Sequence, residues 1–496
     1  MNLQMIGSHK ELLIINRRSI NIIMKNYLIL ITTKIFFFFL VFTALFILGP
    51  HLAIAEVNGI GAQTVYPSGD DTDGIYYINT EDNVKVVLKH YRPFHTDSFN
   101  NGTPIVLFNG ITTTFKMWDI RTTKETRNLY DNLDINKYSP AEWIKNDEYI
   151  KKDPMLYYSM AYHLWKFGYD VWLFNYRGTG VGKHRSALDS QGISLDQWAV
   201  YDTPAAIDKV IELTGKKPII GGHSTGGFVA YAYLQGTYFD KVTGHVRNSV
   251  KLAEKRNKKV AAMIGLDPAG TPPLPQFINI SPVWAVIGSP IFVPLGDILL
   301  TAANTPGVNY LLSYKSPAVA IAQELFASIF YLDEFTSNDG LLSYIAFMNT
   351  KNINKYLMDY LLRYIETGFP IRGYGQFYDM GLHNTIREFW KNGDENKNKI
   401  IGPKPTANDG YYYYKNNMHL ITVPMLTILS ETESSVSPEI SIKDIVLAKK
   451  FNEMDETHII PNSAHIDLYL GDIPATATYY IWRDWLNRLQ KTGYLK

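Results

Sequence analysis

The residues best suited to chemistry are Gly222-His223-Ser224-Thr225-Gly226. A serine between two glycines, each two positions away, marks a turn too tight for side chains on either flank. An apolar strand, Pro218-Ile219-Ile220, precedes it, and a helix of small and apolar residues, Gly227 to Leu234, follows. That strand–turn–helix context exposes a strained serine hydroxyl at a helix N-terminus, the arrangement of a nucleophile. A serine hydroxyl is a poor nucleophile at neutral pH and needs a base to take its proton. Of the chain's 12 histidines, His465 alone falls after the final expected strand and before the terminal helix, where a loop reaches over a sheet to Ser224. The base in turn needs a carboxylate that fixes its tautomer and stabilises its cation.

Three carboxylates compete for that role. Glu433 stands four residues past the apolar run Val423 to Leu429, Asp267 stands directly at the end of the run Val260 to Leu266, and Glu431 is the remainder. The order serine, acid, histidine holds for each. The reading favours Glu433 and keeps Asp267 as the alternative. The oxyanion that a serine attack creates needs backbone N–H donors, one from the residue after the nucleophile and one from a glycine-containing loop. Thr225 supplies the first. Ile111 supplies the second, in the loop Asn109-Gly110-Ile111-Thr112 that ends the apolar run Pro104 to Phe108.

These residues require a scaffold of buried strands that end on one side. Residues 74–91 read as a β-hairpin around the polar turn Thr80 to Asn83. The run 104–108 is continuously apolar, as expected of a strand buried on both faces, and 168–174, 218–222, 260–266 and 423–429 read as further strands. Helical patterns at 160–165, 195–213 and 474–489 alternate with them. The expected fold is therefore α/β, a mostly parallel central sheet with helices on both faces. Residues 120–155 read as a polar surface insertion. The piece Gly178-Thr-Gly-Val-Gly-Lys183 lacks the glycine and hydroxyl spacing of a phosphate-binding loop and reads as a loop near the site.

Alternation fails between Gly270 and Tyr414, a stretch too long for a loop. It reads as a largely helical cap, with a helical stretch from Lys355 to Ile365 and the aromatic run Tyr411 to Tyr414. The expected organisation is a leader at 1–55, a lead-in at 56–73, a core in two parts at 74–269 and 415–496, and the cap at 270–414.

Composition narrows the class. The chain has 496 residues, 46% hydrophobic and 19% charged, with a net charge of +1. That is globular composition with no electrostatic case for nucleic acid. No cysteine is present, which excludes disulfides, a thiolate metal site and a cysteine nucleophile. Lys10, Arg17, Arg18 and Lys25 precede an apolar run from Ile35 to Leu48, followed by Ala53-Ile54-Ala55. Basic region, apolar region and small-x-small site together predict a secretory signal peptide and an exported protein, periplasmic, envelope-associated or secreted. An uncleaved anchor is the alternative, because Leu28 to Leu48 is nearly long enough to span a bilayer.

Together these features resemble the α/β-hydrolase fold, and within it the acid-lipase branch of lysosomal and gastric lipases and their bacterial relatives. The resemblance rests on Thr80-Glu81-Asp82, Gly168-Tyr-Asp-Val-Trp172, Asn175-x-Arg-Gly178, Asp202-x-Pro-Ala205, Gly222-His-Ser-x-Gly226, Val423-Pro424 and His465-Ile-Asp467. It departs at Asn109-Gly110, where His-Gly is usual, and at Glu433, where the family acid is Asp. Gly265-Leu-Asp-Pro-Ala-Gly270 instead looks like pancreatic-type lipases, whose acid occupies that strand end. The resemblance implies hydrolysis of lipid esters through an acyl-enzyme, transient contact with a lipid interface, and no metal or organic cofactor. Two other readings stay open: an acyltransferase on the same scaffold, and a non-catalytic binding protein with a hydrolase fold.

Overall fold

The computed structural model describes residues 74–93, 102–122, 133–135, 140–180, 184–187, 192–271, 292–293, 349, 352–365, 368–393, 395–399, 402–432 and 437–495. The expected leader, the lead-in, much of the cap and Glu433 lie outside them. Met1–Ala55 and Glu56–Lys496 separate as two units. Among the described residues, no helix is long and apolar enough to cross a membrane.

Eight strands form the main sheet: β1 (Ile75–Asn79), β2 (Lys85–Tyr91), β3 (Pro104–Phe108), β4 (Asp170–Asn175), β5 (Ile219–His223), β6 (Ala262–Leu266), β7 (Met425–Ser430) and β8 (Glu456–Ile460). Their order is β1-β2-β4-β3-β5-β6-β7-β8. The first two strands pair antiparallel, β2 pairs antiparallel with β4, and the rest pair parallel. Strands β3 to β7 are buried along their whole length, which explains their mostly apolar residues. Strand β8 is the edge, and its burial alternates.

Six helices are used below: α1 (Met160–Lys166), α2 (Thr203–Thr214), α3 (Thr225–Leu234), α4 (Val250–Lys259), α5 (Ile371–Leu382) and α6 (Tyr479–Lys491). Gly215, at φ 66°, ends α2 in the left-handed conformation its sequence position predicts. Two apolar cores form. One joins α1 and α6 to the sheet through Trp165, Trp482 and Trp485. The other surrounds α3, all of whose residues are buried.

Because the chain goes from β3 outward to β4 and then returns to β5 on the other side, the crevice between the ends of β3 and β5 is a topological switch point. Register aligns those ends: Phe108 lies beside Gly222, and His223 beside Leu266. Asn109, Ser224 and Asp267 are therefore the first residues beyond three adjacent strands.

Two segments differ from the sequence reading. Residues 140–155 are not simply a surface insertion, since Ile144, Ile150 and Met155 are buried in the α1 core. The aromatic run assigned to the cap packs into the α3 core, where Tyr414 meets Phe228 at 4.7 Å between ring centroids. The Tyr412 hydroxyl donates to Gln235, whose side-chain amide donates to the Tyr414 carbonyl. Apolar content identified a core there but not which core it joins. The stretch from Lys355 is helical to Tyr360 and continues as a wider turn over Leu361–Ile365.

Buried charge locks the β4 loop. Arg177 is fully buried and donates to Asp202 at the start of α2 and, with both terminal nitrogens, to Asp82 in the β1–β2 turn. Burial opposes its charge, but Asp202 and Asp82 more than offset that and raise its pKa. Removing one partner of such a pair leaves the others charged and dry, at a cost of about 3–5 kcal/mol. Arg177→Met is expected to lose about that much stability in urea unfolding, and Asp82→Asn, whose carboxylate is partly solvated, markedly less.

Candidate active site

Ser224 is held at φ 55°, ψ −118°, immediately before α3. Among the described residues, six non-glycine positions have positive φ: four are asparagines, and the other two are Ser224 and Asp267. Asparagine tolerates this region; serine adopts it at a cost of about 1–3 kcal/mol, and only where the surroundings enforce it. The enforcement is visible in the glycines. A Cβ on Gly222 would lie 2.2 Å from the Gly226 carbonyl carbon, and one on Gly226 would lie 2.2 Å from the Phe108 oxygen. A Cβ on Gly227 would collide with Pro268 at 2.5 Å. The glycines thus let the elbow close on itself, on β3 and on the segment after β6.

That last contact is reinforced by the backbone. The Ser224 N–H donates to the Leu266 carbonyl at 2.9 Å, and the Ala269 N–H donates to the Ser224 carbonyl at 2.8 Å. The Tyr231 hydroxyl on α3 donates to the Ala269 carbonyl. Asp267 is therefore tied to the Ser224 turn on both sides.

Asp267 Oδ2 lies 3.4 Å from His465 Nδ1, with both side chains buried. The carboxylate is itself held by Ser430 at the end of β7. The Ser430 N–H donates to Oδ1 at 2.8 Å and its hydroxyl to Oδ2 at 2.5 Å. The structure thus brings the alternative acid to His465, while the favoured Glu433 lies outside the described residues. Glu431 is exposed and accepts from the Asn462 N–H at 2.8 Å.

The loop carrying His465 is fixed by Asp467, which accepts from the N–H groups of Ala464 and Asn349 and from the Asn352 amide. This explains the His465-Ile-Asp467 spacing. His223 Nε2 lies 3.0 Å from the His465 carbonyl oxygen. Neither His223 nor Ser430 was singled out from the sequence. The signals were an imidazole next to Ser224 and a hydroxyl ending a buried strand.

The β3 loop reaches the same place. A Cβ on Gly110 would lie 3.4 Å from His223 Nδ1 and 3.7 Å from Ser224 Cβ, so the backbone before Ile111 runs against the elbow. Thr225 is the first residue of α3, where helix N–H groups lack intrahelical partners. The Asn109 amide donates to the Thr113 carbonyl and closes the loop. The Thr114 N–H and hydroxyl donate to the carbonyls of Ile365 and Tyr364, joining this loop to the segment after Tyr360. Gly373 on α5 packs near Ile111 and Leu195, where a Cβ would stand 3.3–3.4 Å from their side chains. Among the described residues, no cluster of three metal-ligating side chains is present.

A separate buried cluster joins α5 and its following loop to the core. Asp196 accepts from Gln376, Tyr414, Asn392 and the Phe389 N–H. Glu388 accepts from His245, Asn392 and the Val246 N–H. Burial first, and the Glu388 charge second, push Asp196 up to about 6. A carboxyl raised above its unfolded value contributes stability that is complete below about pH 4 and is lost as pH rises through about 6. Asp196→Asn is expected to flatten the dependence of melting temperature on pH between about 4 and 6, removing roughly 2–3 kcal/mol of pH-linked change. An unchanged slope would show that Asp196 does not titrate there.

With this geometry in place, comparison with known proteins identifies the scaffold. Residues 151–285 match the family described as alpha/beta hydrolase fold. The strand order, the switch-point elbow and this match together give the α/β-hydrolase fold, and the curated matches carry the resemblance to lipases. Human gastric triacylglycerol lipase is 37% identical over 83 residues, 15% of this chain and 21% of that protein. Rat lysosomal acid lipase/cholesteryl ester hydrolase is 25% identical over 255 residues, 48% of this chain and 54% of that protein. The chain thus matches about a fifth of the first relative's length and about half of the second's. A soluble variant of monoglyceride lipase from Saccharomyces cerevisiae superposes over 87% of this chain and 97% of its own, with a TM-score of 0.44 and 13% identity.

Proposed function

We propose that this chain is an exported serine hydrolase that cleaves carboxylic esters, with lipid esters as its substrates. The observation that carries the reading is the contact of Asp267 Oδ2 with His465 Nδ1, next to a serine held in a strained elbow. In this reading Ser224 Oγ attacks the ester carbonyl carbon and His465 Nε2 takes its proton. Asp267 keeps the Nδ1–H tautomer and stabilises the imidazolium. The oxygen of the tetrahedral intermediate accepts from the N–H groups of Ile111 and Thr225. Collapse expels the alcohol, which receives the proton from His465, and leaves an acyl group on Ser224. Water, deprotonated by His465, then attacks the acyl carbonyl and releases the carboxylic acid and free Ser224.

Asp267 takes precedence over Glu433 because its contact with His465 is direct and Ser430 orients it. Lipid esters are favoured by the large apolar and aromatic content between Gly270 and Tyr414, and by the triacylglycerols and cholesteryl esters for which the gastric and lysosomal relatives are named. Apolar substrates of this kind sit at interfaces, so transient contact with a lipid surface belongs to the proposal. Export rests on the basic, apolar and Ala-x-Ala pattern before Glu56.

Hydrolysis of a p-nitrophenyl ester series from acetate to palmitate tests the reading. The expected result is turnover that favours long chains, loss of at least about 10³-fold in Ser224→Ala and about 10²–10⁴-fold in Asp267→Asn, and a change under about threefold in Glu433→Gln. Collapse of Glu433→Gln with an active Asp267→Asn would make Glu433 the acid. Full activity in Ser224→Ala would end the serine-hydrolase reading.

A further inference from the structure

The residue before the nucleophile has a position that elbow geometry alone does not require. His223 is the last residue of β5 and is almost completely buried. Its Nε2 is 3.0 Å from the His465 carbonyl oxygen. A carbonyl only accepts, so Nε2 carries the proton and the His223 ring is the donor. The same ring lies 4.3 Å from the His465 ring, inclined at 47°, and meets the Tyr469 ring edge-on at 4.6 Å. Its Nδ1 edge faces the backbone at Gly110, where a Cβ would come within 3.4 Å.

One imidazole thus touches all three moving parts of the reaction. It is bonded through the chain to Ser224, donates to the loop of the base, and packs against the loop that precedes Ile111. The far side of the base loop is held separately, by Asp467 through Ala464, Asn349 and Asn352. His465 itself has its carbonyl fixed from below by His223 and its Nδ1 side faced by Asp267. Without the His223 donor, His465 keeps its contact with Asp267 but loses the bond to its own carbonyl.

We propose that His223 is a positioning residue, whose Nε2–H bond to the His465 carbonyl places the base over Ser224. This rests on the Ser224–His465 reading. A shift of about 1 Å in a catalytic group costs on the order of 10²-fold in rate without weakening substrate binding. The donor and the ring make separable contributions. In His223→Phe the ring stays and the donor goes. In His223→Gln the amide nitrogen stands where Nε2 stood and the donor stays. In His223→Asn the amide is one methylene too short to reach.

The experiment compares the three variants and wild type by the rate of fluorophosphonate labelling of Ser224, and by kcat and KM on a p-nitrophenyl ester. Expected are a 10–100-fold lower kcat and labelling rate in His223→Phe and His223→Asn with KM within about twofold, and recovery to within about fivefold of wild type in His223→Gln. If His223→Phe fails to fold, the Asn and Gln variants decide. Wild-type rates in the Phe or Asn variant, or a loss in Gln equal to that in Asn, overturn the positioning role while Ser224 labelling in wild type leaves the hydrolase reading intact. Absence of labelling in wild type overturns that reading and the His223 role with it.

Discussion

Everything at this site depends on the interlock between the turn after β5 and the chain leaving β6. Two hydrogen bonds, from the Ser224 N–H to Leu266 and from the Ala269 N–H to the Ser224 carbonyl, clamp the two segments together. Pro268 occupies the space that Gly227 leaves empty. The two strained positions, Ser224 and Asp267, are the two residues that this clamp bends. Each costs about 1–3 kcal/mol in isolation and persists because the surrounding sheet, fully buried on both faces, over-determines it. The clamp holds a strand-end aspartate against the turn that carries Ser224.

The rest of the molecule serves that geometry from a distance. Parallel register sets the ends of β3, β5 and β6 at one level, and the chain reversal at β3 opens the crevice above them. Arg177, Asp202 and Asp82 weld the loop after β4 to α2 and to the first hairpin. Among the polar bonds that tie residues 349–414 to the core are those of Ile365 and Tyr364 with Thr114, near the β3 loop, and the Asp196–Glu388 cluster behind α5. Both attachments are buried and polar, so they specify one docking position more sharply than apolar contact alone.

Much of this was legible in the residues. Mostly apolar runs announced the buried strands, and glycines around Ser224 announced an elbow, because both follow from local sterics and burial. His465 could be chosen by its place after the last strand. The residues alone do not choose the acid, since Glu433 and Asp267 obey the same chain order; the Asp267–His465 contact supports Asp267 in the proposed reading, and Glu433 lies outside the described residues. The packing partner of Tyr411–Tyr414 was hidden for a related reason: an aromatic run announces burial, and Phe228 on α3 lies far away in sequence. Ser430 and His223 were invisible because their roles are defined by what they touch, Asp267 in one case and the His465 carbonyl in the other.

The central claim is that Asp267 is the carboxylate that holds His465. Proton NMR of the wild-type chain, beside Asp267→Asn and Glu433→Gln, reads that contact directly through the far-downfield resonance of an imidazole Nδ1–H bonded to a carboxylate. The account predicts that this resonance is present in wild type, unchanged in Glu433→Gln and lost in Asp267→Asn. Its survival in Asp267→Asn together with its loss in Glu433→Gln would contradict the account.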